Sequence, residues 1–340
     1  MKKYTLLLFI LGLLTNMNVS TLAVSETYYS TTYLLVNRDT GAILEQLNDE
    51  RLIHPASLTK IMTTFVALEM MDENQLNDTY TLTHDIFYDL VSLDASVAGF
   101  DAGETVKIVD ILYGIMLPSG ADATRAIANY ISGSEDAFVR LMNQKAHELG
   151  LENTHFENTS GLDHPNHLTT AHDLRIILEA ALKNSTFKRI FAASEYQSSP
   201  TNFKESGYTW VDKNLEFANG VDPQNPLTGT KSGYTELAGS ALASTATVNG
   251  SSYMLISSGA PYNPFDFYNV QDALKFYGSI ARDSNVSQKN NQQTTEPPIT
   301  KINEPRKTEL FSANLFFLIG SLTTVIGFMI YLISKVFKDA

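Results

Sequence analysis

The chain has 340 residues, a formal net charge of −13 and no cysteine. The charge argues against nucleic acid as a partner, because a phosphate-binding protein needs a basic face, and the missing thiols exclude disulfides, thiolate metal sites and a cysteine nucleophile. A hydrophobic content of 44% supports a real core, and with both ends reading as targeting segments roughly 250 residues remain to build it.

Residues 1–25, "MKKYTLLLFILGLLTNMNVSTLAVS", carry two lysines, an apolar run from Leu6 to Leu14 and small residues near Ala23 and Ser25. That is the layout of a cleaved signal peptide. A folded body is expected over 26–282. It opens with "TTYLLVN" and "AILEQL" around Arg38 to Gly41, which predicts a hairpin. After Pro55, the apolar residues Leu58, Ile61, Met62, Phe65, Val66, Leu68 and Met70 recur at three- and four-residue steps and predict a buried or half-buried helix from about Ala56. Ser57 and Lys60, three apart, share a face of its first turn, where the partly positive helix N-terminus also lies. A hydroxyl beside an amine could be a nucleophile with its own base. The pattern is short, however, and Ser185 with Lys188 repeats it at what looks like an ordinary helix start.

A polar, irregular zone follows to about Gly103, then a helical pattern from Val109 to Leu117, a break at Pro118 to Asp122 and a further helix to Ile131. Ser132 or Ser134 caps the next helix, which ends at Gly150. Thr170 and Asp173 have capping-box spacing, with Asp in place of the usual Glu or Gln. Asn249-Gly250 between two β-rich runs is a strong hairpin signal, and "FYNVQDALKFYGSI" closes the body as a helix. Strands at both ends with helices between predict an α+β fold, an antiparallel sheet covered by helices. Residues 283–309, rich in Gln, Asn, Thr and Pro, read as a flexible tether. No charged residue occurs over 310–334, and Leu315 to Ile333 is long enough to cross a hydrocarbon core of about 30 Å. Lys335 and Lys338 in the tail, 335–340, suit a cytoplasmic end. The expectation is a single-pass protein of the cell membrane whose body lies outside the cell.

Two more polar clusters interrupt the pattern. One is Ser119-Gly120 in "LPSGADA"; the other is Lys231-Ser232-Gly233 in "LTGTKSGYTELAGS", opening a predicted strand. Each alone is a common loop or turn. In this order, S-x-x-K, a serine on an interhelical loop and K-[ST]-G on a strand form the signature of penicillin-binding proteins and serine β-lactamases. With "PASLTKIMT", "GSEDAFVRLMNQKAHELGLENTHFENTSGLD" and "GTKSGYTELAG", the stretch from about Tyr29 to Ile280 resembles the low-molecular-mass D-alanyl-D-alanine carboxypeptidases, peptidase family S11.

The resemblance implies the penicillin-binding protein/serine β-lactamase-like transpeptidase fold. It further implies peptidoglycan stem peptides ending in D-Ala-D-Ala as substrates, β-lactam antibiotics as covalent inhibitors, and neither metal nor cofactor. It casts Ser57 as nucleophile, Lys60 as its base and Ser119 as proton relay to the leaving D-alanine. Lys231 becomes the cation for the substrate carboxylate, helped by Ser232 and Gly233, and the backbone N–H groups of Ser57 and Tyr234 the oxyanion hole. The roles suit the residue types: a serine needs a base, and a lysine serves as one only when burial and a nearby cation keep it neutral. One departure stands out. The family's Ser-x-Asn has Ala121 at its third position, followed by Asp122, whose carboxylate would favour a charged Lys60.

Four other readings compete with this one. A β-lactamase on this fold needs a positioned deacylating base, and no E-x-x-x-N segment supplies one; a transpeptidase differs only in accepting an amine. A zinc carboxypeptidase would need ligands among His54, His155, His164, His167 and His172, but "DHPNH" is a turn without metal spacing. A receptor that only binds wall peptides would have little reason to keep Ser57, Lys60, Ser119 and Lys231 together.

Overall fold

The computed structural model describes residues 27–292, with side chains as far as Arg282. The elements in chain order are β1 (Thr32–Asn37), β2 (Ile43–Leu47), α1 (Thr59–Glu69), β3 (Thr79–Thr81), β4 (Thr105–Lys107), α2 (Ile108–Met116), α3 (Ala121–Ser132), α4 (Glu135–Glu148), α5 (Ala171–Ala181), α6 (Ser185–Phe191), β5 (Glu195–Gln197), β6 (Thr209–Val211), α7 (Lys213–Val221), β7 (Leu227–Thr235), β8 (Gly239–Val248), β9 (Ser251–Ala260) and α8 (Tyr268–Gln292). Five strands form one antiparallel sheet in the order β2-β1-β9-β8-β7. The predicted α+β architecture is therefore present, with the first strand of the chain seated beside the last.

Both faces of this sheet are covered, and the period-two rule assigns each residue to a layer. Leu34, Val36, Ala241, Ala243, Met254 and Ile256 pack into the larger core with Leu58, Ile61, Met62 and Phe65. Leu35, Leu242 and Leu255 point the other way, onto Val270, Ala273, Phe276 and Tyr277 of α8. Burying each large apolar side chain contributes about 1.5–3 kcal/mol, which holds α8 to this face of the sheet. Asp272 in α8 also accepts from the backbone N–H groups of Tyr29 and Ser30 at 3.0 and 2.7 Å, fixing the start of the body to its end. At the β8–β9 turn, Asn249 and Gly250 both have positive φ, 51° and 82°, as a two-residue type I′ hairpin requires.

α1 is central: every residue from Thr59 to Leu68 is buried. Its end departs from the periodic reading, since Met70 is 53% exposed. Its beginning differs too. Ala56–Leu58 form a 3-10 turn and the α-helix starts at Thr59, so Ser57 stands on a tight turn ahead of the helix. Ser134 caps α4, its Oγ accepting from Ala137 N at 3.2 Å. Thr170 caps α5 through Asp173 N at 3.0 Å, but the Asp173 carboxylate accepts from Thr154 Oγ1 at 2.6 Å, so the predicted capping box is only half formed. Lys231 falls within β7, which starts four residues before it. α8 continues past Arg282. The expected signal peptide, most of the tether, the membrane helix and the tail lie outside the described residues; among those described, no helix is long and apolar enough to cross a membrane.

Candidate active site

Three chain segments meet at Ser57. The 3-10 turn presents it, with Ala56 held at φ 47° just before it; a non-glycine residue there is strained by roughly 1 kcal/mol or more. β7 passes so close that a Cβ on Gly233 would lie 2.6 Å from Ser57 N. Only a residue without a side chain lets a strand run against the serine's backbone. From the third side, a Cβ on Gly161 would lie 1.8 Å from the Ala56 carbonyl oxygen.

Lys60 Nζ lies 3.0 Å from Ser57 Oγ and donates to the Ser160 carbonyl at 2.7 Å. Lys60 is 2% exposed, and burial holds its amine well below the ordinary lysine range, reinforced by the charge of Lys231 and opposed by Asp122 and Glu135. The repeat of the spacing at Ser185 and Lys188 differs in this respect: both are exposed, at the start of a helix capped by Asn184.

Lys231 Nζ donates to Ser119 Oγ at 3.0 Å and to the Ser232 carbonyl at 2.9 Å. Ser119 itself has φ 63°, a second strained residue in the site. A cleft of about 490 Å³ opens onto Ser57, Ser119, Ser232, Gly233 and Tyr234. A second hollow of about 470 Å³ lies on the other side of Ser119 and Lys231, against Trp210 and Asp212. The structure thus brings together Ser57, Lys60, Ser119, Lys231, Ser232, Gly233 and Tyr234, the residues that the resemblance casts in one site.

Burial pushes Lys231 down to about 8, and the Asp212 carboxylate opposes that shift. The sign of the pH dependence follows. Lys231 carries its charge below about 8 and loses it above. Acylation by benzylpenicillin is expected to slow as pH rises through this value, and Asp212→Asn should move the decline to lower pH. A rate that stays flat from about pH 7 to 10 would exclude a charged Lys231 from the reaction.

Ala121 is buried, and its N–H donates to the Ser96 carbonyl at 2.8 Å. Asp122 does not replace the missing amide. Its carboxylate accepts from the N–H groups of Ala98, Gly99, Phe100 and Ala123 at 2.7, 3.1, 3.3 and 2.9 Å. It is spent on bracing the loop, and acts on Lys60 only through its charge.

Several contributors escaped sequence reasoning. The Ser160 carbonyl is one: Asn158 Oδ1 accepts from Gly161 N at 2.7 Å, while Thr63 Oγ1 donates to the Thr159 carbonyl at 2.7 Å and ties the loop to α1. Asp212 is another, accepting from Thr230 Oγ1 at 2.6 Å directly before Lys231. The dense polar run Asn158-Thr159-Ser160-Gly161 was the available signal. The histidines lie elsewhere. His155 and His164 flank Glu157, and His167 lies beneath the first turn of α1. There its Nδ1 accepts from Glu157 N, which leaves Nε2–H to donate to Thr59 Oγ1 at 2.9 Å. Among the described residues one group of possible metal donors, Asp49, Glu50 and His172, falls within 4.8 Å; it lines neither hollow.

A buried lysine on a serine hydroxyl, a second buried lysine on a second serine, and a glycine strand against the first define the class of penicillin-binding serine enzymes. The sequence profile of the family described as D-alanyl-D-alanine carboxypeptidase matches residues 18–261, and the chain belongs to that family. It is 34% identical over 205 residues to the D-alanyl-D-alanine carboxypeptidase DacF of Bacillus subtilis, covering 59% of this chain and 50% of that protein. To DacA of Escherichia coli K12 it is 33% identical over 221 residues, 63% of this chain and 52% of the relative. The chain thus spans about half the length of the curated relatives it matches. The crystal structure of the Streptomyces K15 DD-transpeptidase superposes with a TM-score of 0.66 at 28% identity, over 75% of this chain and 98% of the other.

Proposed function

We propose that this protein is a serine D-alanyl-D-alanine carboxypeptidase that removes the terminal D-alanine from peptidoglycan stem peptides. One observation carries the reading: Lys60 Nζ, buried and pushed toward neutrality, stands 3.0 Å from Ser57 Oγ. The Ser57 proton passes to Lys60 as Oγ attacks the carbonyl carbon of the penultimate D-alanine. The resulting oxyanion is held by the N–H groups of Ser57 and Tyr234; the close approach of Gly233, which precedes Tyr234, to Ser57 N supports this. Lys231 and Ser232 hold the terminal carboxylate. Ser119, hydrogen-bonded to Lys231, relays to the leaving nitrogen the proton that Lys60 took from Ser57, so Lys60 is neutral again; D-alanine departs, and water attacks the ester, gives Ser57 back its proton and releases the shortened peptide.

The same reading places the body outside the cell, exported by residues 1–25 and held at the membrane by 310–334, with wall precursors close at hand. A β-lactam inhibits by acylating the same serine. The test is the intact mass of the full chain after benzylpenicillin, with Ser57→Ala alongside, and labelling of intact cells by a penicillin derivative that does not cross the membrane. A penicilloyl adduct on the wild type, absent from Ser57→Ala, supports the reading; an unlabelled wild type sinks it. Likeness to a DD-transpeptidase favours one second reading, transfer of the acyl group to an amine. Product analysis with and without an added amine acceptor separates the two.

A further inference from the structure

We propose that the cleft selects peptides bearing a protonated amine on the side chain upstream of the scissile D-alanyl bond, with Asp94, Tyr234 and Tyr262 as the specificity-determining residues. This deepens the carboxypeptidase reading and rests on it.

Among the described residues, Asp94 is the one carboxylate lining the cleft that contains Ser57, and no lysine or arginine lines it. Its side chain is exposed, and among the described residues no hydrogen bond or ion pair engages it. Asp94 nevertheless occupies a set position, at φ 50°, on a loop tied at both ends. On one side the Ser96 carbonyl accepts from Ala121 N at 2.8 Å; on the other, Arg125 donates to Asp89 and to the Tyr88 carbonyl at 3.1 and 2.6 Å. An exposed carboxylate on a braced loop of the cleft is held where a cationic group of a bound peptide can meet it.

In the same cleft, the rings of Tyr234 and Tyr262 stack with centroids 4.2 Å apart. Both are half exposed, at 44% and 56%. Aromatic faces attract an ammonium group, and Tyr234 directly follows Gly233, which touches Ser57. The cleft is therefore polarised. Lys231 stands behind Ser119, which lines the cleft, and draws the terminal carboxylate from there, while Asp94 and the tyrosine pair offer negative potential to a group several atoms upstream. A peptide with a carboxylate at its end and an ammonium on its side chain matches both signs; a neutral or acidic side chain matches only one.

The experiment compares two peptides, Nα-acetyl-L-lysyl-D-alanyl-D-alanine with its side-chain amine free and the same peptide acetylated on that amine. D-Alanine release by the full chain is expected to favour the free amine by about five- to tenfold in kcat/KM, expressed in KM. Asp94→Asn and Tyr262→Ala should each draw the ratio toward one, and added salt should do so in the wild type by screening. Equal kcat/KM for the two peptides in the wild type, or a ratio unmoved by Asp94→Asn, overturns the proposal while leaving the carboxypeptidase reading intact. If neither peptide is hydrolysed, that reading fails, and calorimetric titration of both peptides into Ser57→Ala still decides the selectivity: tighter binding of the free amine supports it, and equal or absent binding overturns it.

Discussion

Replacing Lys60 with methionine is expected to slow acylation by benzylpenicillin at least about a thousandfold, within the range that loss of a general base produces. Met fills the volume of the lysine stem with an unbranched, apolar chain, so the buried helix around it needs no rearrangement. Two opposing effects set its stability. The variant loses the contacts of Nζ with Ser57 and with the Ser160 carbonyl, worth about 1 kcal/mol each. It also removes an amine that is only 2% exposed, whose desolvation had penalised the folded state. The unfolding midpoint should therefore stay within about 4 °C of the wild type. Time-resolved intact mass with a thermal melt reads both quantities. Acylation within tenfold of the wild type, by a protein that melts normally, would remove Lys60 from the role of base.

Gly161→Ala is expected to damage fold and reaction together. The position has φ 89°, and the new Cβ would meet the Ala56 carbonyl oxygen at 1.8 Å and Thr59 Oγ1 at 2.9 Å. Left-handed strain costs about 1–2 kcal/mol, and the overlap requires the turn bearing Ser57, or the loop bearing the Ser160 carbonyl, to move. A total loss of about 4 kcal/mol or more is expected, visible as a clear fall in Tm. A displacement on the order of 1 Å between Ser57 and Lys60 is expected to slow acylation about a hundredfold. Gly133→Ala is the matched control, because Gly133 also has a positive φ, 78°, but nothing within 4 Å of its added Cβ. That variant should lose only about 1 kcal/mol and acylate normally. If Gly161→Ala acylates as fast as Gly133→Ala, the close approach of the two segments does not matter to the chemistry.

These two residues also mark what a linear reading reaches. Ser57, Lys60, Ser119 and Lys231 were legible because short patterns carry them and their order along the chain is itself informative. Gly161 was not, since its role is to be absent where the Ala56 carbonyl passes, a contact across about a hundred residues. The Ser160 carbonyl and Asp212 act through backbone or through charge at a distance, which residue type alone does not announce. The hairpins were visible as β-rich runs around turn residues, but not the seating of β1 between β2 and β9, which depends on long-range pairing. β7 was placed too late because Gly229 breaks its alternation; the structure explains that glycine by Phe191, whose ring would lie 2.6 Å from an added Cβ. A window of a few residues also could not tell the 3-10 turn at Ala56–Leu58 from the first turn of α1, since both bring residues three apart together.

The pairing of β1 with β9 has a consequence for when the protein becomes an enzyme. Thr32 to Asn37 sit opposite Tyr253 to Ser258, so an interior strand of the sheet waits for a partner made more than two hundred residues later. The turn that presents Ser57 rests on β7 through Gly233, and β7 is registered by β8, which is registered by β9. No shorter length of chain, growing from its N-terminus, holds the serine against its strand. Folding is therefore governed by contacts between sequence-distant ends and belongs to the slow class of topologies. The nascent chain remains chemically inert through most of its synthesis, and reactivity arrives late and at once, with closure of the sheet.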